Sequence, residues 1–547
     1  MTAPKPSHCR LILLASVVLV FGRLLLCDFT WWDDPHTIHQ NPRMNPVTWE
    51  TFRFHWTTPV ASIYVPLTYT VWALLAMVSR IDPGPDGISL NATFFHGASL
   101  LIHAAGALMA FALLRRLTKN DLAALLGALL WAVHPTQVES LGWISGLKDV
   151  LSGTLVLATL VAYLRFRDAT GKPRTRWYAV ALGLYTLALL AKPSAMTTPL
   201  LVIALDRLVL GTAWRAIAVA MLPFAVVTLP LAMVARAVQQ APAARTPLWI
   251  RPLLVGDALT FYAHQVLAPV HLAFDYGRSV AYLRTQSILY YAWLLPVGVA
   301  AVTLWAYRRA RRAGRPLSPL PAVGLLMFVL APVHVLGLTR FDFQIISTVA
   351  DHYLYVALIG PAILLAWSVT RWPACAKAGV LLVAVYGLRA AWLTPVWQDD
   401  YALLEHTLTV NPRSWTAYMN LSTLERERLN IDKQYTYLSR AREIESNNPT
   451  IELNLLSFYI DQKELDNAHA TARRLIELYQ SLWREEGAPA AAAHVKIVGM
   501  FIDADRFDDA EMYLREGLAL DPQDRALAVY AQRLEWKRRM TTTRATL

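Results

Sequence analysis

The sequence predicts an all-α chain in two parts, a polytopic membrane domain followed by a solenoid of helical repeats. Hydrophobic residues make up 55% of the 547 positions and charged residues 16%, and mean hydropathy is +0.35. Soluble globular chains are closer to a quarter charged, so much of this surface is expected to face lipid. Apolar runs of membrane length recur over the first four hundred residues. From about residue 397 the runs shorten, charge density rises and helix-period patterns replace them.

Eleven runs are long enough to cross, or nearly cross, a bilayer. They lie at about 11–27, 92–114, 121–134, 148–165, 177–191, 195–210, 215–236, 289–306, 319–338, 353–370 and 377–394. A further stretch, 253–270, carries His264 and Gln265 and reads as interfacial or re-entrant. The N-terminal run has no small-residue cleavage site behind it and reads as an uncleaved first span. The net charge of +12 sits in short clusters between the runs, such as Arg115/Arg116/Lys119 and the arginine-rich 308–315. That is the positive-inside pattern of membrane topology rather than a nucleic-acid footprint. Eleven spans place the N-terminus in the cytoplasm, and put the loop at about 28–91 and the C-terminus outside. The 19 tryptophans and 22 tyrosines suit aromatic belts at the two interfaces. Three unpatterned cysteines argue against a disulfide framework or a metal motif.

The boundaries read as a membrane domain over 1–396 and a repeat domain over 397–547. In ADRFDDAEMYLREGLALDP (504–522), Ala510, Leu514, Gly517 and Pro522 have the spacing of a tetratricopeptide second helix and its closing turn. Looser copies occur at 407–449 and 465–478, giving about three helical hairpins. Stacking such hairpins buries their apolar faces and leaves an extended concave surface.

Ionisable residues at membrane depth are expensive and are functional candidates by default. Here they gather on the outer side. FTWWDDPHTIHQNP (29–42) places Asp33 and Asp34 just past the first run. HPTQVESLGWISGLKDVLSG (134–153) carries His134, Glu139, Lys148 and Asp149. AKPSAMTTP (191–199) carries Lys192, and LTRFDFQIISTVADHYLY (338–355) carries Arg340, Asp342, Asp351 and His352. Each has a plainer role open to it: Lys148 and Asp149 as anchor and cap, Lys192 and Arg340 as interface anchors, His134 as a helix end before proline. Trp31 and Trp32 stack on a sugar or anchor their loop. Phosphate-loop, metal-ligand and nucleophile-elbow patterns are missing, and polar residues collected at one face do not suit a transporter.

WDDPHTIHQNP (32–42), the HP…E…WISGLKD block, AKPSAMTTPLLVIALDRL (191–208) and ADHYLY (350–355), followed by repeats, resemble the transmembrane and tetratricopeptide-repeat O-mannosyltransferases. More distantly they resemble the protein O-mannosyltransferases of the GT-C glycosyltransferase superfamily. The resemblance implies a GT-C membrane fold and transfer of mannose from a polyprenyl-phosphate donor to Ser or Thr hydroxyls of exported proteins, with inversion and without a cofactor. It implies Asp33 as general base, with Asp34 beside it. His134, Glu139, Lys148, Lys192, Arg340 and His352 would bind substrate, the cations and histidines at the donor phosphate. The repeats would bind the protein acceptor. The Ala-, Leu- and Arg-rich composition points to a bacterial inner membrane with a periplasmic site. Departures from the family pattern occur at Asp351-His352 and Lys192-Pro193. Two other functions stay open: transfer to an envelope glycan or lipid, and a non-enzymatic scaffold.

Overall fold

A computed structural model describes residues 5–83, 87–239, 246–314, 317–339, 341–486 and 491–546. It is helical throughout, and no strand longer than an isolated bridge forms among these residues. Contacts divide the chain into two units that meet between Asn411 and Pro412, so that helix Asp400–Val410 belongs to the first.

Among the described residues, six helices of the first unit are long and apolar enough to cross a membrane, and a pair bent by 46°, Asp351–Ala357 with Ile359–Arg371, brings the number to seven if it crosses as one span. The molecule is an integral membrane protein. The run at 177–191 lies in the 21-residue helix Gly171–Ala191, whereas three other runs that the sequence counts as spans take other forms. Those at 121–134 and 319–338 fold as the shorter helices Asp121–Ala132 and Leu320–Val335. The run at 195–210 is an eleven-residue helix, Thr198–Leu208, entered through a 3-10 turn at Pro193–Thr197. Twelve residues rise only about 18 Å against a hydrocarbon core of about 30 Å. Helix Asp121–Ala132 is instead enclosed, with every residue from Ala123 to Ala132 buried. Its small residues admit close neighbours: a Cβ on Gly127 would lie 2.6 Å from the Ala362 carbonyl oxygen. Apolarity there reflects burial in protein as much as contact with lipid.

Two ion pairs tie the basic ends of the membrane helices together. Arg116, in the last turn of Ala92–Thr118, reaches Asp168 at 2.5 Å. Arg167, in the last turn of Leu147–Asp168, bonds Asp206 of Thr198–Leu208. Lys148 and Asp149 stand in the first turn of that same Leu147–Asp168 helix, 22 residues long. At 1.5 Å per residue, the basic cluster and this polar group are separated by about 30 Å.

The second unit contains three helical hairpins and a terminal helix. The hairpins are Trp415–Glu427 with Ile431–Ile444, Pro449–Asp461 with Leu465–Glu486, and Ala492–Asp503 with Phe507–Leu520; helix Arg525–Thr546 follows. Leu429, Lys463 and Asp505 adopt the left-handed backbone at the same place in each hairpin turn, the regularity expected of a repeat. Ala441, Ala472, Ala510 and Gly517 are small where helices meet, among buried Leu438, Ile451, Phe501 and Leu527. A Cβ on Gly517 would fall 2.8 Å from His494 Cβ and from Leu527 Cδ1.

Candidate active site

Beyond the first span a 3-10 turn, Gly22–Leu26, leads into the two aspartates, and the chain then makes a wide turn over Pro35–His39. Pro35 has no N–H to satisfy and suits the first position. The Thr37 N–H donates to the Asp33 carbonyl (3.0 Å), which fixes the turn. The two carboxylates diverge. Asp34 is fully buried and accepts four hydrogen bonds: Thr30 N (3.0 Å) and Thr30 Oγ1 (3.2 Å) on Oδ2, Ser145 N (2.9 Å) and Ser145 Oγ (2.6 Å) on Oδ1. Burial pushes its carboxyl up to about 6, although the Ser145 and Thr30 donors pull the other way. The Asp33 side chain is 44% exposed, and its charged contact is Lys148 Nζ at 3.4 Å.

Lys148 is itself shielded, 13% exposed, with its ammonium 4.3 Å from the centre of the Trp143 ring. The next residue, Asp149, turns to another element, and its Oδ1 accepts from Lys192 Nζ at 2.5 Å. Lys192 ends helix Gly171–Ala191 in an extended conformation (φ −157°) ahead of Pro193, the geometry that proline imposes on its predecessor. Thr68 Oγ1, from helix Pro66–Val78, donates to the Ala191 carbonyl at 2.8 Å and steadies that end. Both Asp149 and Lys192 are buried.

Glu139 organises the third segment. Its Oε2 accepts the backbone N–H groups of Asp351 (2.9 Å) and His352 (3.3 Å), and its Oε1 lies 2.6 Å from His352 Nδ1. A carboxylate only accepts, so Nδ1 carries a proton and Nε2 is the ring's remaining bonding atom. Asp351 accepts from Tyr276 Oη, 2.9 Å from each carboxylate oxygen, and Gln265 Nε2 donates to the same hydroxyl at 2.7 Å. Asp149, His352 and Tyr353 line one cleft.

Thus residues from four sequence segments gather at one end of the helices in two groups: Asp33 with Lys148 and Asp149 with Lys192 form one, Glu139 with His352 the other, and Asp149 and His352 line a common cleft. His134 stands apart: it is fully buried, with Nδ1 on Thr136 Oγ1 (2.8 Å) and Nε2 on the Val266 carbonyl (3.2 Å). Arg340 lies outside the described residues. Trp32 packs on Phe274, ring centres 4.6 Å apart, and the Trp31 N–H donates to Asp400 at 2.6 Å. Sequence reasoning missed Ser145, Tyr276 and His334. Ser145 lies inside a block already singled out, whereas Tyr276 and His334 carry no local signal.

The chain aligns with curated proteins over most of its length. Protein O-mannosyl-transferase TMTC3 of Mus musculus is 22% identical over 577 aligned positions, covering 93% of this chain and 60% of that protein. These relatives are protein O-mannosyl-transferases. The Homo sapiens TMTC3 is 21% identical over the same shares. Protein O-mannosyl-transferase TMTC1 of Mus musculus is 28% identical over 206 residues, 35% of this chain and 21% of that protein. The chain therefore spans about 60% of the length of the TMTC3 relatives it matches. No family profile matches it.

Proposed function

We propose that this protein is a membrane glycosyltransferase that moves mannose from a polyprenyl-phosphate carrier to a serine or threonine hydroxyl of an exported polypeptide. One observation carries the reading. Of two adjacent aspartates only Asp33 is open to solvent, and it stands beside Lys148, the first of two shielded lysines.

A hydroxyl is a weak nucleophile at neutral pH, so Asp33 takes its proton as the oxygen bonds to the anomeric carbon. The bond from that carbon to the phosphate oxygen breaks on the opposite face, which inverts the centre. Polyprenyl phosphate leaves as an anion and needs positive charge and donors rather than an acid. Lys148, Lys192 and the free edge of His352 supply them, in a low-dielectric setting that strengthens each contact. Asp34 is a positioning residue that holds the turn, and Glu139 is another, fixing His352 and the Asp351–His352 backbone. The relatives' names support protein O-mannosylation as the overall activity. The site faces the periplasm, opposite the basic helix ends, by the positive-inside rule. The three hairpins offer an extended surface to an unfolded acceptor.

Intact glycoproteomics of cells with and without the protein tests the reading. Exported peptides that lose a hexose on deletion, and regain it with the wild-type chain but not with Asp33→Asn, are the expected result. Glycans or lipids changing while no peptide does would refute the protein acceptor.

A further inference from the structure

The cleft next to Lys192 is lined by Asp149, Ser194, His334, His352, Tyr353 and Tyr355, among others. Several polar side-chain atoms on its walls are engaged. Ser152 Oγ donates to the Ala188 carbonyl (3.0 Å), Thr197 Oγ1 to the Ala331 carbonyl (3.2 Å), and Tyr355 Oη lies 2.9 Å from His103 Nδ1. Two buried atoms have no hydrogen-bond partner, Asp149 Oδ2 and His334 Nδ1. Buried polar atoms are nearly always satisfied, so orphans lining a cavity point to what fills it.

We propose that this cleft seats the transferred sugar ring, and that Asp149 Oδ2 and His334 Nδ1 take its hydroxyls and set which epimer is accepted. The inference rests on the donor reading above. A carboxylate oxygen only accepts, so the group opposite Asp149 is a donor; a hydroxyl suits it and an anionic phosphate does not. Asp149 Oδ1 at the same time holds Lys192, so one carboxylate links the cation proposed for the phosphate to the groups proposed for the sugar. The rings of Tyr353 and Tyr355 give apolar walls for the C–H faces of a pyranose. A Cβ on Gly153 would lie 2.3 Å from Tyr355 Cδ1, so glycine is what lets that ring close on the cleft.

The test uses the full-length protein in proteoliposomes with polyprenyl phosphates carrying mannose, its C2 epimer glucose, or galactose. The wild-type chain should separate the best donor from the other two by about tenfold or more in kcat/KM. His334→Phe, close in shape but without the nitrogen, and Asp149→Asn should each lower kcat/KM for the best donor by about 10- to 100-fold. The other donors should change less than about threefold, so the ratio between epimers collapses. Thermal unfolding identifies a variant that has lost its fold, and His334→Phe, which leaves the Lys192–Asp149 pair intact, then decides alone. Equal losses on every donor, an unchanged ratio, or no discrimination by the wild-type chain would overturn the sugar pocket while leaving the donor reading in place. Absence of transfer from any lipid-linked sugar would overturn both.

Discussion

Acidifying the medium should strengthen the loop that carries Asp34. Two effects compete at that carboxyl: burial disfavours its charge, while four donors from Thr30 and Ser145 favour it. Burial prevails and pushes the group up to about 6, about two units above an ordinary aspartate and therefore about 3 kcal/mol. The folded state then holds a proton that the unfolded chain has released. The stabilisation is complete below about pH 4 and is lost as the pH rises through about 6. The stability of the wild type relative to Asp34→Asn, which has no proton to exchange, should rise by about 3 kcal/mol between pH 7 and 4 and stay level above pH 7. Thermal unfolding by tryptophan emission reads that difference. Infrared difference spectra between the two proteins read the carboxyl directly, with a midpoint near 6. A midpoint at or below the usual carboxylate range, or a difference curve falling as the pH drops, would mean that the donors outweigh burial.

Asp33→Asn should unfold within about 1 kcal/mol of wild type, since the half-exposed Asp33 carboxylate makes only a long 3.4 Å contact with Lys148, yet lower sugar transfer by about 10²- to 10⁴-fold. A large stability loss, or retained transfer, would remove Asp33 as base. Lys192→Met strands the buried Asp149 carboxylate and should destabilise by about 3–5 kcal/mol, read as a lowered unfolding midpoint; Lys192→Arg should recover part of it. Glu139→Ala orphans two backbone N–H groups, at about 1–3 kcal/mol each, and should speed proteolysis near residue 351. Gly517→Val forces overlap with His494 and Leu527 and should cost about 1–3 kcal/mol. Faster cleavage within 412–547 of the full chain, with the first unit intact, is the expected pattern.

Composition and run length were enough to read the all-helical membrane unit and the three hairpins, because lipid burial and repeat packing each leave a periodic mark. Run length did not separate lipid-crossing helices from Asp121–Ala132, since a helix wrapped by other helices is as apolar as one in a bilayer. The acidic pair was legible as a pair. Its division into an open and a buried partner was not, because the donors that bury Asp34 include Ser145, more than a hundred residues away. Lys148, Lys192, Glu139 and His352 stood out because charge is rare in such segments. His134 stood out for the same reason, yet both of its ring nitrogens are used within the protein. An orphaned nitrogen like that of His334 becomes visible only when every neighbour has been placed.

Lys148 and Asp149 are consecutive, yet they serve different partners because neighbouring positions on a helix point about 100° apart. Asp33 faces the one and Lys192 the other. The chemistry of this end of the molecule is therefore written in helical phase. Deleting one residue between Ser145 and Lys148 would swing Asp149 toward the place Lys148 now holds, setting carboxylate against carboxylate at Asp33 and leaving Lys192 without its counter-charge. The short segment WISGLKD acts as a ruler, and its length should tolerate less change than most of its letters.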